Sequence, residues 1–333
     1  MTQPDTPAPS KADPKNYQPD PALKDLFPDI SANTINGLGE TERRRPTLVF
    51  WSDEPPTIPH GQLQLYFYGR NASLPLVMAE REIRQSYIDI ELPPVAPVKA
   101  EHSPAEWSRL IKEKAAEFDA DAVGITQFDR SWVFEGNEFD AKWVIVLGVA
   151  HDYDRISQAP EEPAAAEVIK QYGRATKVTK ALAGWLHEQG FETVTHSGPN
   201  AGHFTMIPAA IAAGLGELGK HGSMINRKFG SSFRLASITI DMPLVADEPD
   251  DFGVDDFCAR CQVCQKACPP DALASEKQLV RGQSKWYVNF DKCIQFFNET
   301  AGCSICISRC PWSRPGIADN LLAKLARRRA KTD

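Results

Sequence analysis

The sequence predicts an α/β fold with a ferredoxin-like segment near its C-terminal end. Three observations carry this expectation. All eight cysteines of the 333 residues fall between Cys258 and Cys310. Lys142 to Ala150 is a continuous Val/Ile/Leu run, the pattern of a strand buried on both faces. Residues 162–189 repeat apolar side chains at three and four, as a long amphipathic helix does.

Taken in order, residues 1–28 hold seven prolines and few large apolar residues, and are expected to form a disordered tail. Residues 29–102 read as an N-terminal subdomain of undefined role, where Leu63, Leu65, Phe67 and Tyr68 suggest a strand. The core is expected over 103–247. Ser103-Pro-Ala-Glu106 is a capping box with proline at the first helical position, opening a helix through Phe118. Asp121 to Thr126 reads as a short strand, and Lys142 to Ala150 as the next. In the helix over 162–189, Val168, Tyr172, Ala175, Val178, Leu182 and Trp185 form the stripe, and Gly190 ends it. Ile207 to Leu218 reads as a further helix, followed by a glycine-rich turn and a strand over Phe233 to Met242. Strands alternating with helices imply helices on both faces of a sheet. The cysteines occupy 248–316. Residues 317–333 form a basic tail with a short helix at Leu321 to Lys331, whose Arg327, Arg328 and Arg329 read as a solvated helix end, with an RNA contact as the sharper alternative.

Charge and hydropathy exclude several classes. A net charge of −7 and a pI near 5.6 give no bulk attraction to nucleic acid. The longest apolar run, Trp143 to Ala150, is far short of a membrane span. The N-terminal residues contain neither an apolar signal core nor an early twin-arginine pair, and Arg43, Arg44 and Arg45 lie too deep to serve as one. These features predict a cytoplasmic protein without a membrane partner.

The cysteines form two groups. Cys258-x2-Cys261-x2-Cys264-x3-Cys268-Pro269 is followed by Cys293 and then Cys303-x2-Cys306-x3-Cys310-Pro311. Two-residue gaps let one tight loop wrap three corners of a cubane, while the fourth cysteine, before proline, serves the other cluster. On that logic Cys258, Cys261, Cys264 and Cys310 hold one [4Fe–4S] cluster, and Cys268, Cys293, Cys303 and Cys306 hold the other. Nine residues separate Cys293 from Cys303, so the second group is stretched. Zinc sites and disulfides are the alternatives, and the doubled pattern favours iron over both. Two adjacent clusters make an electron relay.

The relay needs an acceptor. No G-x-G-x-x-G follows a strand, so a Rossmann dinucleotide site has no support. There is also no Asp-x-His-x-x-Gly element that would supply a histidine to cobalamin. Gly214-Leu-Gly-Glu-Leu-Gly219-Lys-His-Gly222-Ser-Met-Ile-Asn226 and Phe229-Gly230-Ser231-Ser232-Phe233-Arg234 are rich in small residues that let backbone approach a flat ligand.

The run Ala212 to Met242 resembles the cobalamin-binding segment shared by reductive dehalogenases and epoxyqueuosine reductases. Val144 to Pro160 and the ending Cys306 to Gly316, "CISRCPWSRPG", are similar to the dehalogenase side of that superfamily. The resemblance covers roughly residues 105–320 and leaves the first hundred unassigned. It implies a nitroreductase-like α/β core holding base-off cobalamin, capped by the double-cluster segment. It also implies a soluble branch without a fused flavin reductase module, so that a separate ferredoxin or flavoprotein supplies electrons. The implied activity is removal of halide from a small organohalide, such as a halogenated phenol or aromatic acid. The alternatives are an epoxyqueuosine-reductase-like enzyme acting on tRNA, a protein that binds or reduces cobalamin without dehalogenation, and an electron carrier that binds no corrinoid.

The resemblance also assigns candidate residues. Tyr172 matches the helix carrying the dehalogenases' proton-donating tyrosine, and Arg234 ends the "GSSFR" segment, where it would lower that tyrosine's pKa or receive halide. A core tyrosine and a structural ion pair are the plainer readings of the two. Asn200 in "HSGPN" falls where epoxyqueuosine reductases place an acid; it can hydrogen-bond a substrate or simply close a turn. Among His196, His203 and His221, His203 is the candidate for a second proton source. Gly222, Ser223, Asn226, Gly230 and Ser231 are expected to contact the cobalamin tail, an ordinary tight turn being the alternative.

Overall fold

A computed structural model describes residues 17–198 and 202–330, the side chain of Arg329 excepted. Asn200 and residues 1–16 therefore lie outside the described residues.

The described chain begins with a docked segment. Tyr17 Oη donates to Glu299 at 2.7 Å, and Leu23, on a 3-10 turn over Pro21–Leu26, is buried against Phe50, Leu63, Phe67 and Ile294. This corrects the tail reading for residues 17–28: one leucine and one tyrosine anchor a segment whose composition alone suggests disorder. The N-terminal layer continues with α1 (Ala32–Ile35), α2 (Gly61–Asn71) and α3 (Pro75–Ile88). The strand expected around Leu63 to Tyr68 is instead α2. Leu63 and Phe67, four apart, are buried, while Leu65 between them is 45% exposed. A short apolar run does not distinguish the two periods.

The core follows: α4 (Pro104–Glu117), β1 (Ala122–Gln127), β2 (Trp143–Ala150), α5 (Tyr153–Ile156), α6 (Glu162–Glu188), β3 (Thr193–His196), α7 (Met206–Ala212), β4 (Glu217–Leu218), β5 (Met224–Ile225) and β6 (Phe233–Ile240). Ser103 caps α4, its Oγ accepting from the Glu106 N–H at 3.3 Å. α7 ends at Ala212, short of the expected Leu218, because Gly214 takes a left-handed φ of 73° and the chain turns into β4.

The main sheet has the order β1-β2-β6-β3, with every pair antiparallel and Val149 opposite Arg234. Along β2, Ile145, Leu147 and Val149 join the core made with α4 and α6, while Val144 and Val146 face α7. Helices thus cover both faces of a mixed α/β core.

The C-terminal segment comprises α8 (Val254–Arg260), α9 (Val263–Ala267), a hairpin of β7 (Gln278–Val280) and β8 (Gln283–Lys285), α10 (Phe290–Glu299), α11 (Ile305–Ser308) and α12 (Ala318–Arg329). Phe252, Trp286, Trp312 and Leu325 form its core. The N-terminal layer bridges the other two parts. α2 packs on α10, and α3 lies along α6, close enough that a Cβ on Gly173 would sit 3.4 Å from Arg84 Cβ. Among the described residues no helix is long and apolar enough to cross a membrane.

Candidate functional site

All eight cysteines are free thiols. Their mutual neighbours divide them into two sets. The charges bearing on Cys258 are those of Cys310, Cys264 and Cys261, and Cys310 in turn feels Cys264 and Cys261. Cys303 has Cys293 and Cys268 as neighbours, and Cys306 has Cys303, Cys293, Cys264 and Cys268. The charges of Cys258, Cys261, Cys264 and Cys310 thus bear on one another, those of Cys268, Cys293, Cys303 and Cys306 do likewise, and that of Cys264 also reaches Cys306. Burial pushes Cys258, Cys293, Cys303 and Cys310 up to about 12 and Cys264 to about 11. Such thiols stay protonated near neutrality unless a strongly positive centre draws the proton off, as bound iron does. Among the described residues no three His, Cys, Asp or Glu side chains converge as ligands to one ion.

The glycine-rich run builds the wall of the first quartet. Gly216 has φ 144°, and a Cβ there would lie 2.1 Å from Ile225 O, so β4 and β5 close only with glycine. The turn presents Glu217, whose Oε1 accepts from the N–H groups of Phe252, Gly253 and Val254 at 2.7, 2.8 and 3.1 Å. That carboxylate holds the start of α8, which carries Cys258. Gly230, at φ 60°, would place a Cβ 2.3 Å from the Trp312 carbonyl, and Ser231 bonds Ser313 Oγ through both its N–H, at 3.2 Å, and its hydroxyl, at 3.1 Å. Ser231 also hydrogen-bonds the Cys310 thiol. Asn226 donates to Leu215 O at 2.8 Å and accepts from the Lys228 N–H at 2.8 Å. A Cβ on Gly222 would meet Val288 at 2.9 Å, and the Ser223 N–H donates to His221 Nδ1 at 3.2 Å. The expected tail contacts are thus engaged inside the protein. Gly230 and Ser231 line the first quartet, and Asn226 closes its own turn.

The second quartet faces a cavity of about 260 Å³. Cys293, Cys303, Cys306 and Phe297 form one side, Tyr172 and Arg234 another, and Trp51, Phe67 and Tyr68 from the N-terminal layer a third. Tyr172 comes from α6 and Arg234 from the first turn of β6. The guanidinium carbon stands 5.2 Å from the centre of the tyrosine ring. Arg234 Nε donates to His151 Nε2 at 3.1 Å, and His151 Nδ1 lies 3.4 Å from Ser232 Oγ. Burial, with the Arg234 charge adding to it, holds His151 well below the usual imidazole range. The ring is therefore neutral, accepts at Nε2 and carries its proton on Nδ1.

Several residues here were not singled out from sequence. His151 is one; its signal was its place immediately after the buried strand. Tyr68, Arg81 and Arg84 are others. Arg81 stands 5.1 Å from the Tyr68 ring, and the positive charge of Arg84 bears on both Tyr172 and Tyr68. Among the described residues, the cavity-lining Asn71 Oδ1 is buried without a hydrogen-bond partner, as is Nε of Arg84, which lines a neighbouring cavity. The cavity has room for a small aromatic molecule. It falls below the roughly 300–1,000 Å³ of ordinary ligand pockets, and a whole corrinoid does not fit while it is closed.

The histidines lie elsewhere. His203 stacks on Phe139 at 4.6 Å and meets His196 edge-on at 6.0 Å, beside a separate cavity of about 490 Å³ near Lys180 and Ser197. Burial lowers His196 to about 4, with the charge of His203 adding to it. His221 is buried and likewise lowered to about 4 by burial.

Residues 257–313 match the 4Fe-4S dicluster domain family. A tetrachloroethene reductive dehalogenase of Desulfitobacterium hafniense is 30% identical over 284 aligned residues, covering 67% of this chain and 51% of that protein. The chain spans about half the length of the curated dehalogenases it matches. An epoxyqueuosine reductase of Cyclobacterium marinum is 35% identical over 122 residues, covering 32% of this chain and 36% of the relative. Among solved structures, the catabolic reductive dehalogenase NpRdhA in complex with 3-bromo-4-hydroxybenzoic acid superposes with a TM-score of 0.69 and 22% identity, over 75% of this chain and 39% of that one. Sequence, fold and cysteine pattern together make this chain a relative of the reductive dehalogenases that carries a 4Fe-4S dicluster domain of its own.

Proposed function

We propose that the chain catalyses reductive removal of halide from a small, preferably aromatic, organohalide held in the cavity between Tyr172, Arg234 and the second cysteine quartet. The observation that carries the reading is this juxtaposition: a hydroxyl, a guanidinium and three thiols of one quartet line a single cavity. The overall change takes two electrons and one proton, converting carbon–halogen to carbon–hydrogen and releasing halide.

Each side chain has a part in that balance. Tyr172 Oη gives the proton to the substrate carbon. Arg234, oriented by neutral His151, keeps its charge directed at the Tyr172 ring and stabilises phenolate once the proton has left. Arg81, which lines the cavity from α3, adds a second positive charge and receives the departing halide, while the charge of Arg84 also bears on Tyr172. Trp51, Phe67 and Phe297 exclude water and select a flat substrate. The two [4Fe–4S] clusters relay electrons from an external ferredoxin or flavoprotein. Base-off cobalamin, the group the family likeness suggests, supplies low-potential cobalt when bound. A cavity of about 260 Å³ does not admit a whole corrinoid.

Anaerobic protein reconstituted with iron, sulfide and cobalamin tests the reading. Halide release from a bromo- or chlorophenol panel under reduced ferredoxin is the expected result. Epoxide loss from an epoxyqueuosine-bearing stem-loop without halide release would move the chain to the tRNA branch, which its acidic charge opposes. Retention of cobalamin with neither reaction would leave a corrinoid-binding protein. No retained cobalamin in well-folded protein would leave an electron carrier.

A further inference from the structure

Lys220, in the glycine-rich run, is 1% exposed. Its Nζ donates to Ser275 O at 3.3 Å and stands 4.8 Å from the centre of the Trp286 ring. No carboxylate pairs with it among the described residues. A buried ammonium with one carbonyl and one ring for company is costly unless a negative charge lies near. What lies near is the first quartet. The Lys220 backbone N–H bonds the Cys258 thiol, and its charge bears on Cys264. The second quartet has other cations about it: Arg81 and Arg234 line the cavity it faces, and Lys292, which is exposed and screened by water, bears on Cys268.

We propose that Lys220 is the built-in countercharge of the first cluster, and that it makes this cluster more easily reduced than the same cluster without it. The inference rests on cluster occupancy and not on dehalogenation. Four thiolates leave a cubane anionic, and reduction adds one electron, hence one more negative charge, with no proton taken up. A fixed buried cation favours the reduced form over the oxidised one.

The test is an anaerobic dithionite titration of the whole protein, followed by electron paramagnetic resonance, with iron counted on the same samples. Wild type should take up electrons in two waves. Lys220→Met should keep about eight irons and shift only one of the two waves, that of the first cluster: at the potential where that wild-type cluster is half reduced, its reduced-to-oxidised ratio falls on the order of tenfold. Lys220→Arg should restore the wild-type wave. An unmoved wave in a fully loaded Lys220→Met protein overturns the proposal. Should Lys220→Met lose one cluster, retention by Lys220→Arg supports a charge requirement, and loss from both variants shows that shape alone is needed and overturns it. Wild type without about eight irons would instead remove the cluster reading beneath it.

Discussion

The two cysteine quartets come from near-identical sequence motifs but sit in opposite surroundings. The first is walled by backbone and polar groups: the Gly230 and Ser231 turn, the Ser313 hydroxyl and buried Lys220. The second opens on an aromatic cavity containing Tyr172 and Arg234. The motif assembles a cluster, and the elements packed around it decide what that cluster does.

The hardest way to break this contrast is to remove one thiol from each side. Cys264→Ala and Cys306→Ala should each fall from about eight irons to about four, and both should abolish halide release. Only Cys306→Ala should also weaken binding of a halophenol, read by fluorescence of Trp51. A Cys306→Ala protein with all its iron would dissolve the quartets. Next in size is Gly230→Val. Its side chain strikes the Trp312 carbonyl at a left-handed position, which should cost a few kcal/mol and empty the first quartet while leaving the second filled. Cobalamin loss with both clusters intact would instead return Gly230 to the corrinoid site.

Tyr172→Phe sharpens the other side. It should keep all iron and lower turnover about a hundredfold, roughly 2.7 kcal/mol. Full turnover would take Tyr172 out of the reaction. The smallest effect touches neither quartet. Burial holds His196 at about 4, below the roughly 6.5 of an unfolded chain. Between those values the unfolded state binds the extra proton, so stability falls as pH drops from 7 to 5. His196→Gln should lessen that fall by about 1–2 kcal/mol in urea midpoints, without changing iron content. An equal fall in both proteins would contradict the burial.

Much of this organisation was legible in the sequence where one pattern ran long enough. β2 and α6 show their periods over many residues, and the cysteine spacing alone separates the quartets. Short or distant features were not legible. Leu63 to Tyr68 alternates like a strand for too few residues to reveal α2. The pairing of Val149 with Arg234, which brings His151 to the guanidinium, depends on sheet order. Tyr68, Arg81 and Arg84 lie roughly ninety to a hundred residues before Tyr172 in the chain, and only the packing of α3 along α6 joins them. The glycine run shows a partner that sequence does not name: at Gly230 its small residues admit the Trp312–Ser313 backbone.

The loop from Ala301 to Ile307 is at once the wall of the cavity and the carrier of Cys303 and Cys306. Cys303 and Ser304 both hold left-handed backbone there, with φ of 47° and 61°, so the loop has little slack. Whatever fills the cavity leans on the cysteines themselves. A tight-fitting guest should therefore slow the loss of iron from the second cluster in air, and an emptied cavity should hasten it.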